Sequence, residues 1–304
     1  MLERFPDGSR VCFIGDSLTA QNTVQWMTVD CYKNNFPNSN IEFFNCGVAG
    51  GTAASALLYL EDDTLIHNPT HAVIGFGVND SSRDTLSLPR TAERYERLAT
   101  AFENFKVNLR KLCDVLIERG IKVTLCTPPP YDEYHESDTP SLVGGYALLL
   151  AYAEEVRKIA AERNLPLCDY AKYFGREMQT DLLYTTDHIH PNNHGYYLMG
   201  KYFLSQQGLD AGAERSTPPD YLKNWCDWVT KRVEIFSGEL MVVRDYTLPD
   251  DEKIKVAEEY VRTRTDVIPR LIEIASNYIK FKPQQAEIFK EINASYAKDV
   301  LNRK

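Results

Sequence analysis

The sequence predicts an α/β fold, an open parallel sheet covered by helices on both faces, followed by a mainly helical extension. Three observations lead there. Short apolar, β-branched runs alternate with helix-period segments from the start to about Gln206, the pattern that buries a parallel sheet between two helical layers. The runs end in glycine or amide residues, and the carboxyl ends of strands are where open α/β sheets hold ligands. From roughly Leu209 the alternation stops and only helical spacing remains.

The predicted strands, in order, are Val11–Ile14, Ile41–Asn45, Ala72–Phe76, Val123–Thr127 and a short Leu165–Asp169. The first four carry near-continuous apolar residues, as strands buried on both faces require. The longest helix between them, Thr91–Arg119, places Tyr95, Leu98, Phe102, Phe105, Leu109, Leu112 and Leu116 at helical spacing. Another helix is expected over about His194–Leu204. Five strands suit a flavodoxin-like, three-layer α/β/α arrangement in the order 2-1-3-4-5, which sets the tips of strands two, one and three side by side. Residues 1–208 then form one domain and 209–304 the extension, joined by the polar, proline-bearing stretch Ala213–Asp220.

The first strand ends in Gly15-Asp16-Ser17-Leu18, so the Ser17 hydroxyl emerges at a strand tip. Far downstream, after the fifth strand, comes Asp187-His188-Ile189-His190-Pro191. A serine hydroxyl needs a neighbouring base to take its proton, and histidine is the side chain suited to that near neutral pH. His190 is the candidate base, and Asp187, three residues earlier on one tight turn, can hold the required tautomer. Two more strand tips carry Asn45-Cys46-Gly47-Val48-Ala49-Gly50-Gly51-Thr52 and Gly75-Phe76-Gly77-Val78-Asn79-Asp80.

These four blocks, in this order, resemble the GDSL or SGNH serine hydrolases, whose blocks contribute serine, glycine, asparagine and histidine. By that resemblance Ser17 is the nucleophile, the Ser17 and Gly50 N–H groups and the Asn79 side-chain amide form an oxyanion hole, and Asp187 with His190 completes the triad. The chemistry accounts for the residue types: negative charge grows on the carbonyl oxygen during attack, and fixed neutral donors aimed at it lower the barrier. Phe13–Ser17 and Asp187–Asn192 look most similar to the intracellular acetylesterases that deacetylate short oligosaccharides, and no cofactor is implied. The helices after the His190 block lie outside the resemblance.

Other readings compete for the same residues. His188, His190 and His194 with Asp187 are ligand types for a metal, but residues two apart in an extended turn point away from each other, so His188 and His194 read as surface or helix-cap positions. Gly47–Gly51 fits neither of the glycine spacings that cradle phosphate. His67, His71 and His135 have no partner visible in sequence. Asp16 and Asp80 are expected to brace their loops by hydrogen bonding rather than to move protons.

The 304 residues carry a net charge of -9, and with no basic stripe they exclude a nucleic-acid partner. No run is long enough to span a membrane and the first residues lack a secretion signal. Cys12, Cys126 and Cys168 lie inside apolar runs, so a cytoplasmic location is expected. The polar and aromatic loop Pro128–Asp138 suits a sugar ester. A lysophospholipase or thioesterase acting on lipid acyl chains is the alternative, and a non-catalytic binding module would need a defect in the catalytic set. In the extension, Ile254, Val261, Ile268, Leu271, Ile272, Ala275, Tyr278 and Ile279 must pack on the core, on each other or across a homo-oligomer interface, while Trp225 and Trp228 are expected to anchor packing.

Overall fold

The computed structural model describes residues 1–227 and 229. Its sheet contains β1 (Arg10–Gly15), β2 (Glu42–Gly47), β3 (His71–Gly75), β4 (Lys122–Cys126) and β5 (Leu167–Cys168), all parallel, in the order β2-β1-β3-β4-β5. The predicted class and order are therefore those of the molecule. Helices α3 (Ala53–Leu58), α4 (Ala92–Glu118) and α5 (Gly145–Glu162) cover one face; α2 (Thr23–Asn35), α6 (Tyr170–Glu177) and α7 (Asn193–Gln206) cover the other.

Alternation along each strand divides the core. Cys12, Ile14, Ala72, Ile74, Val123 and Leu125 join Phe105, Leu109, Leu112, Leu116 and Tyr152 on the α3/α4/α5 side. Val11, Phe13, Phe43, Val73 and Cys168 join Trp26, Tyr32, Phe174 and Phe203 on the other. None of the seven cysteines is joined in a disulfide, and every one but Cys226 is buried.

Register fixes where the site forms. Gly15 of β1 is paired with both Gly47 of β2 and Gly75 of β3, so three glycines lie in one row at the strand tips. A Cβ on Gly15 would stand 2.1 Å from Thr19 Oγ1 and 2.7 Å from the Gly75 carbonyl, and one on Gly47 would stand 2.4 Å from Ala20 N. The bare row lets the short helix α1 (Ser17–Ala20) fold back directly over the sheet.

Differences from expectation have local causes. β5 contracts from Leu165–Asp169 to two residues because Pro166 has no N–H to give the ladder, and because Asp169 caps α6, its side chain accepting from Lys172 N. Tyr95, expected on the apolar face of α4, is 57% exposed, because the buried face begins with Arg94 and Ala101. Beyond Gly208, Leu209 and Leu222 are buried against α2 and α7, and Trp225 packs partly buried beside them. Residues 223–227 are helical, within the extension where only helical spacing was expected. Trp228 and the apolar positions Ile254 to Ile279 lie outside the described residues.

Candidate active site

β1 hands the chain to α1 through Asp16, the N-cap, whose carboxylate accepts from Leu18 N at 3.0 Å. Ser17 is thereby the first helical residue, and the N–H of a first helical residue has no partner inside its helix. The Ser17 hydroxyl lies 2.7 Å from His190 Nε2, and His190 Nδ1 lies 2.5 Å from Asp187 Oδ2. Facing a carboxylate, Nδ1 must carry the ring proton, which leaves Nε2 free to accept from the serine.

Asp187 is held by its own turn. Its Oδ1 accepts from the backbone N–H groups of Ile189 (3.0 Å) and His190 (2.9 Å) and from the Thr185 hydroxyl (2.9 Å). Partial burial would raise its pKa, but these bonds and the one from the His190 ring outweigh it and hold the carboxyl well below the ordinary range. The turn is closed by Thr185 N donating to the His190 carbonyl at 2.8 Å and by an isolated bridge between Tyr184 and Pro191. Asn192, capping α7 through Gly195 N, fixes the exit.

The glycine and asparagine blocks meet the serine at neighbouring tips. Val48 N donates to the Gly15 carbonyl at 2.9 Å, joining the β2 loop to β1. Asn79 Nδ2 donates to the Gly51 carbonyl at 3.0 Å, joining the β3 loop to the β2 loop. Gly50 has φ +73°, a conformation that favours glycine. Beneath them, Asp80 accepts from Gly77 N (3.1 Å) and Ala53 N (2.9 Å), so one carboxyl fastens both loops.

Asp16 and Asp80 are both buried at these tips. Burial pushes Asp16 up to about 6, against the Leu18 N–H and the charges of His190 and Arg83. Burial pushes Asp80 up to about 7, with the charge of Asp16 adding to the rise and the Ala53 and Gly77 N–H groups opposing it. Both make the bracing bonds expected of them. A cavity of about 50 Å³ opens on the α2/α7 side of the tips, lined by Asp16, Leu18, Gln25 and Phe76 among others but not by Ser17, Gly50, Asn79 or His190.

Three groups escaped the sequence. His188 is buried, not on the surface, and its ring faces the 131–142 loop; the extended-turn argument gave its divergence from His190 but not its destination. Arg83 donates to the Val78 carbonyl at 3.2 Å beside Asn79. Tyr131 packs with Leu18, Val78 and Ile189, the neighbours of Ser17, Asn79 and His190. His194, by contrast, is a partly exposed residue in the first turn of α7, 2.9 Å from Glu214. The three histidines thus face three different partners, and among the described residues no group of three or more His, Cys, Asp or Glu is gathered to hold a metal. His135 is paired with Asp132 at 2.7 Å and His67 stacks on Phe44.

The sequence profile of the GDSL-like lipase/acylhydrolase family matches residues 13–198. That stretch is more than half of the chain and contains Ser17, Asp187, His190 and the strand-tip residues just described. The chain belongs to this family and is a carboxylic ester hydrolase. Among solved structures it is similar to a gut microbial diltiazem-metabolizing enzyme, with TM-score 0.65 and 16% identity over 99% of this chain and 96% of that one. It is also similar to an acetylxylan esterase from Geobacillus stearothermophilus, with TM-score 0.57 and 23% identity over 69% of this chain and 99% of that one. A second acetyl xylan esterase gives TM-score 0.51 and 24% identity over 65% and 98%. At these identities the likeness is one of fold. No curated protein sequence matches the chain.

Proposed function

We propose that this chain is a serine esterase that removes short acyl groups, acetyl above all, from carbohydrate, through an acyl-enzyme on Ser17. The observation that carries the proposal is the continuous relay from Asp187 Oδ2 to His190 Nδ1 at 2.5 Å and from His190 Nε2 to the Ser17 hydroxyl at 2.7 Å. Ser17 Oγ attacks the ester carbonyl while its proton passes to His190 Nε2. The Ser17 and Gly50 N–H groups and Asn79 Nδ2 receive the oxyanion. As the C–O bond to the alcohol breaks, His190 returns the proton to the leaving oxygen, and the alcohol departs. Water then attacks the acyl-serine with the same histidine as base, releasing the acid and restoring Ser17.

Asp187 keeps Nδ1 protonated and stabilises the imidazolium that forms at each transfer. Because its carboxyl titrates well below the ordinary range, it stays ionised wherever the histidine is neutral. The sugar reading draws support from the Pro128–Asp138 loop of hydroxyl, carboxylate and tyrosine side chains beside the site, and from fold neighbours described as acetylxylan esterases.

The test is a rate profile from acetyl to decanoyl esters of one alcohol, run beside acetylated xylo-oligosaccharides, with the parent labelled by an organophosphonate. Labelling of Ser17, a steep fall in rate beyond short acyl chains and turnover of the saccharide support the proposal. A maximum at long chains transfers the chain to lipid or thioester hydrolysis, and no labelling of Ser17 removes the triad.

A further inference from the structure

The residue between Asp187 and Ile189 is not spent on the acid–base relay, yet it is among the most constrained side chains at the site. His188 is 1% exposed and has φ +65°, a left-handed conformation that costs a side-chain-bearing residue energy and persists where surrounding contacts enforce it. Its Nε2 lies 2.7 Å from the Thr139 carbonyl and 2.9 Å from the Ser137 hydroxyl. A carbonyl can only accept, so Nε2 carries a proton and donates. This second serine–histidine contact therefore cannot be a catalytic dyad, in which Nε2 must accept.

The same residue binds the loop with its backbone. Asp132 N donates to the His188 carbonyl at 3.0 Å, and His188 N donates to Thr185 at 3.1 Å. Its ring lies 5.7 Å from that of Tyr131. One residue thus ties both limbs of the 131–142 loop to the turn that carries Asp187 and His190. The loop is closed on itself as well: Leu142 N donates to the Tyr131 hydroxyl at 2.9 Å, and Glu133 accepts from Gly144 N and Tyr146 N at 2.9 and 3.0 Å. Ser137 reaches the Thr186 carbonyl at 2.9 Å. Tyr131, at the loop's root, packs under the residues next to Ser17, Asn79 and His190.

We infer that His188 is a specificity-determining positioning residue: it clamps the 131–142 loop against the acid–base turn, so that the loop forms a fixed wall for the alcohol portion of the ester, a sugar in the reading above. The inference rests on that reading for the place of the reacting ester. A wall set by the turn that carries the base is placed relative to the leaving oxygen itself, which is where orientation of a large alcohol contributes to rate.

The test compares His188→Ala, His188→Gln and Tyr131→Phe with the parent on three acetyl esters of growing alcohol: phenyl acetate, 4-methylumbelliferyl acetate and peracetylated xylobiose. His188→Gln keeps a donor of similar reach, and Tyr131→Phe loosens the loop at its other end without touching the turn. His188→Ala is expected to lose least on phenyl acetate and about tenfold or more on the xylobiose ester, carried by KM, which is the scale of one or two hydrogen bonds. His188→Gln should recover most of it, and Tyr131→Phe should show the same trend more weakly. A loss equal on all three esters, or none on any, overturns the clamp; should His188→Ala fail to fold, Tyr131→Phe and His188→Gln decide by the same criterion. Failure of the underlying reading is separate, because the parent itself would then escape phosphonate labelling at Ser17 or leave the xylobiose ester unhydrolysed.

Discussion

Ser17, Gly50 and Asn79 stand on backbone that the sheet holds from below, whereas Asp187 and His190 stand on a turn tied down from the side. On the first side, three glycines in register, the Val48 to Gly15 bond and two buried carboxyls set the geometry. On the second, the Asp187 and His190 side chains are 47% and 38% exposed, and the turn depends on its own carboxylate and on the 131–142 loop. The difference follows from the work each side does. In the proposed mechanism these groups are oxyanion donors, which act best when they cannot move at all, and sheet and core over-determine their positions. The base must accept and return a proton, and needs only its tautomer and its distance kept.

The largest break in this comparison comes from the chemistry shared by the two sides. Ser17→Ala should lower kcat by about 10⁴-fold or more, and His190→Ala should match it, because either variant ends acyl-enzyme formation; aryl acetate kinetics on protein free of contaminating esterase check this. Asn79→Ala is expected to cost less, roughly 10² to 10³-fold, since it removes one oxyanion donor and leaves the relay intact. A loss as large as that of Ser17→Ala would mean that Asn79 also holds the serine, through the Gly51 loop to which it is bonded.

Gly15→Ala sharpens the contrast by attacking the sheet side alone. Its Cβ would meet Thr19 and the Gly75 backbone inside contact distance, so denaturant unfolding should show a loss of roughly 1–3 kcal/mol, as overpacked cores do, together with lost activity. A matching change on the turn side, Thr185→Val, removes one bond to Asp187 and is expected to lower activity with little change in the unfolding midpoint.

The smallest effect concerns pH. Asp16 and Asp80 titrate at about 6 and about 7 in the fold against a reference of 3.8. Between that reference and those values the folded chain binds more protons than the unfolded one, so stability declines as pH rises from about 4 to about 7. Asp80→Asn should flatten that slope in melting temperature measured across the same window. An unchanged slope would place the pH dependence elsewhere.

The sheet was legible because its strands obey one rule, continuous apolar runs ended by small residues, and four of the five satisfy it. β5 does not, since Pro166 and Asp169 serve a turn and a cap rather than a ladder. Ser17, Asp187 and His190 could be chosen as candidates because the proposed chemistry needs their types, and the structure brings the three side chains into contact. The glycine row could not, because it exists only once three strands take their register. His188 was invisible for a related reason: its partners Ser137 and Thr139 lie about fifty residues upstream, and nothing in a tight turn announces which way a middle residue will point.

The segment after α7 has a mechanical consequence. At the foot of α7 the chain is pinned to its own beginning, with Leu2 N donating to the Gln206 carbonyl at 2.8 Å and Arg4 Nε to the Gln207 carbonyl at 3.0 Å. It then turns back along α7, its Gly212 carbonyl accepting from Tyr197 at 2.9 Å and Glu214 meeting His194 at 2.9 Å, in the first turn of the helix that follows His190. A pull from its far end would have to free the Leu222 packing and the Arg215 and Tyr221 contacts to Asp30 before it reached Glu214. The strap is thus fastened several times over, and its contact beside the base is shielded by those outside it.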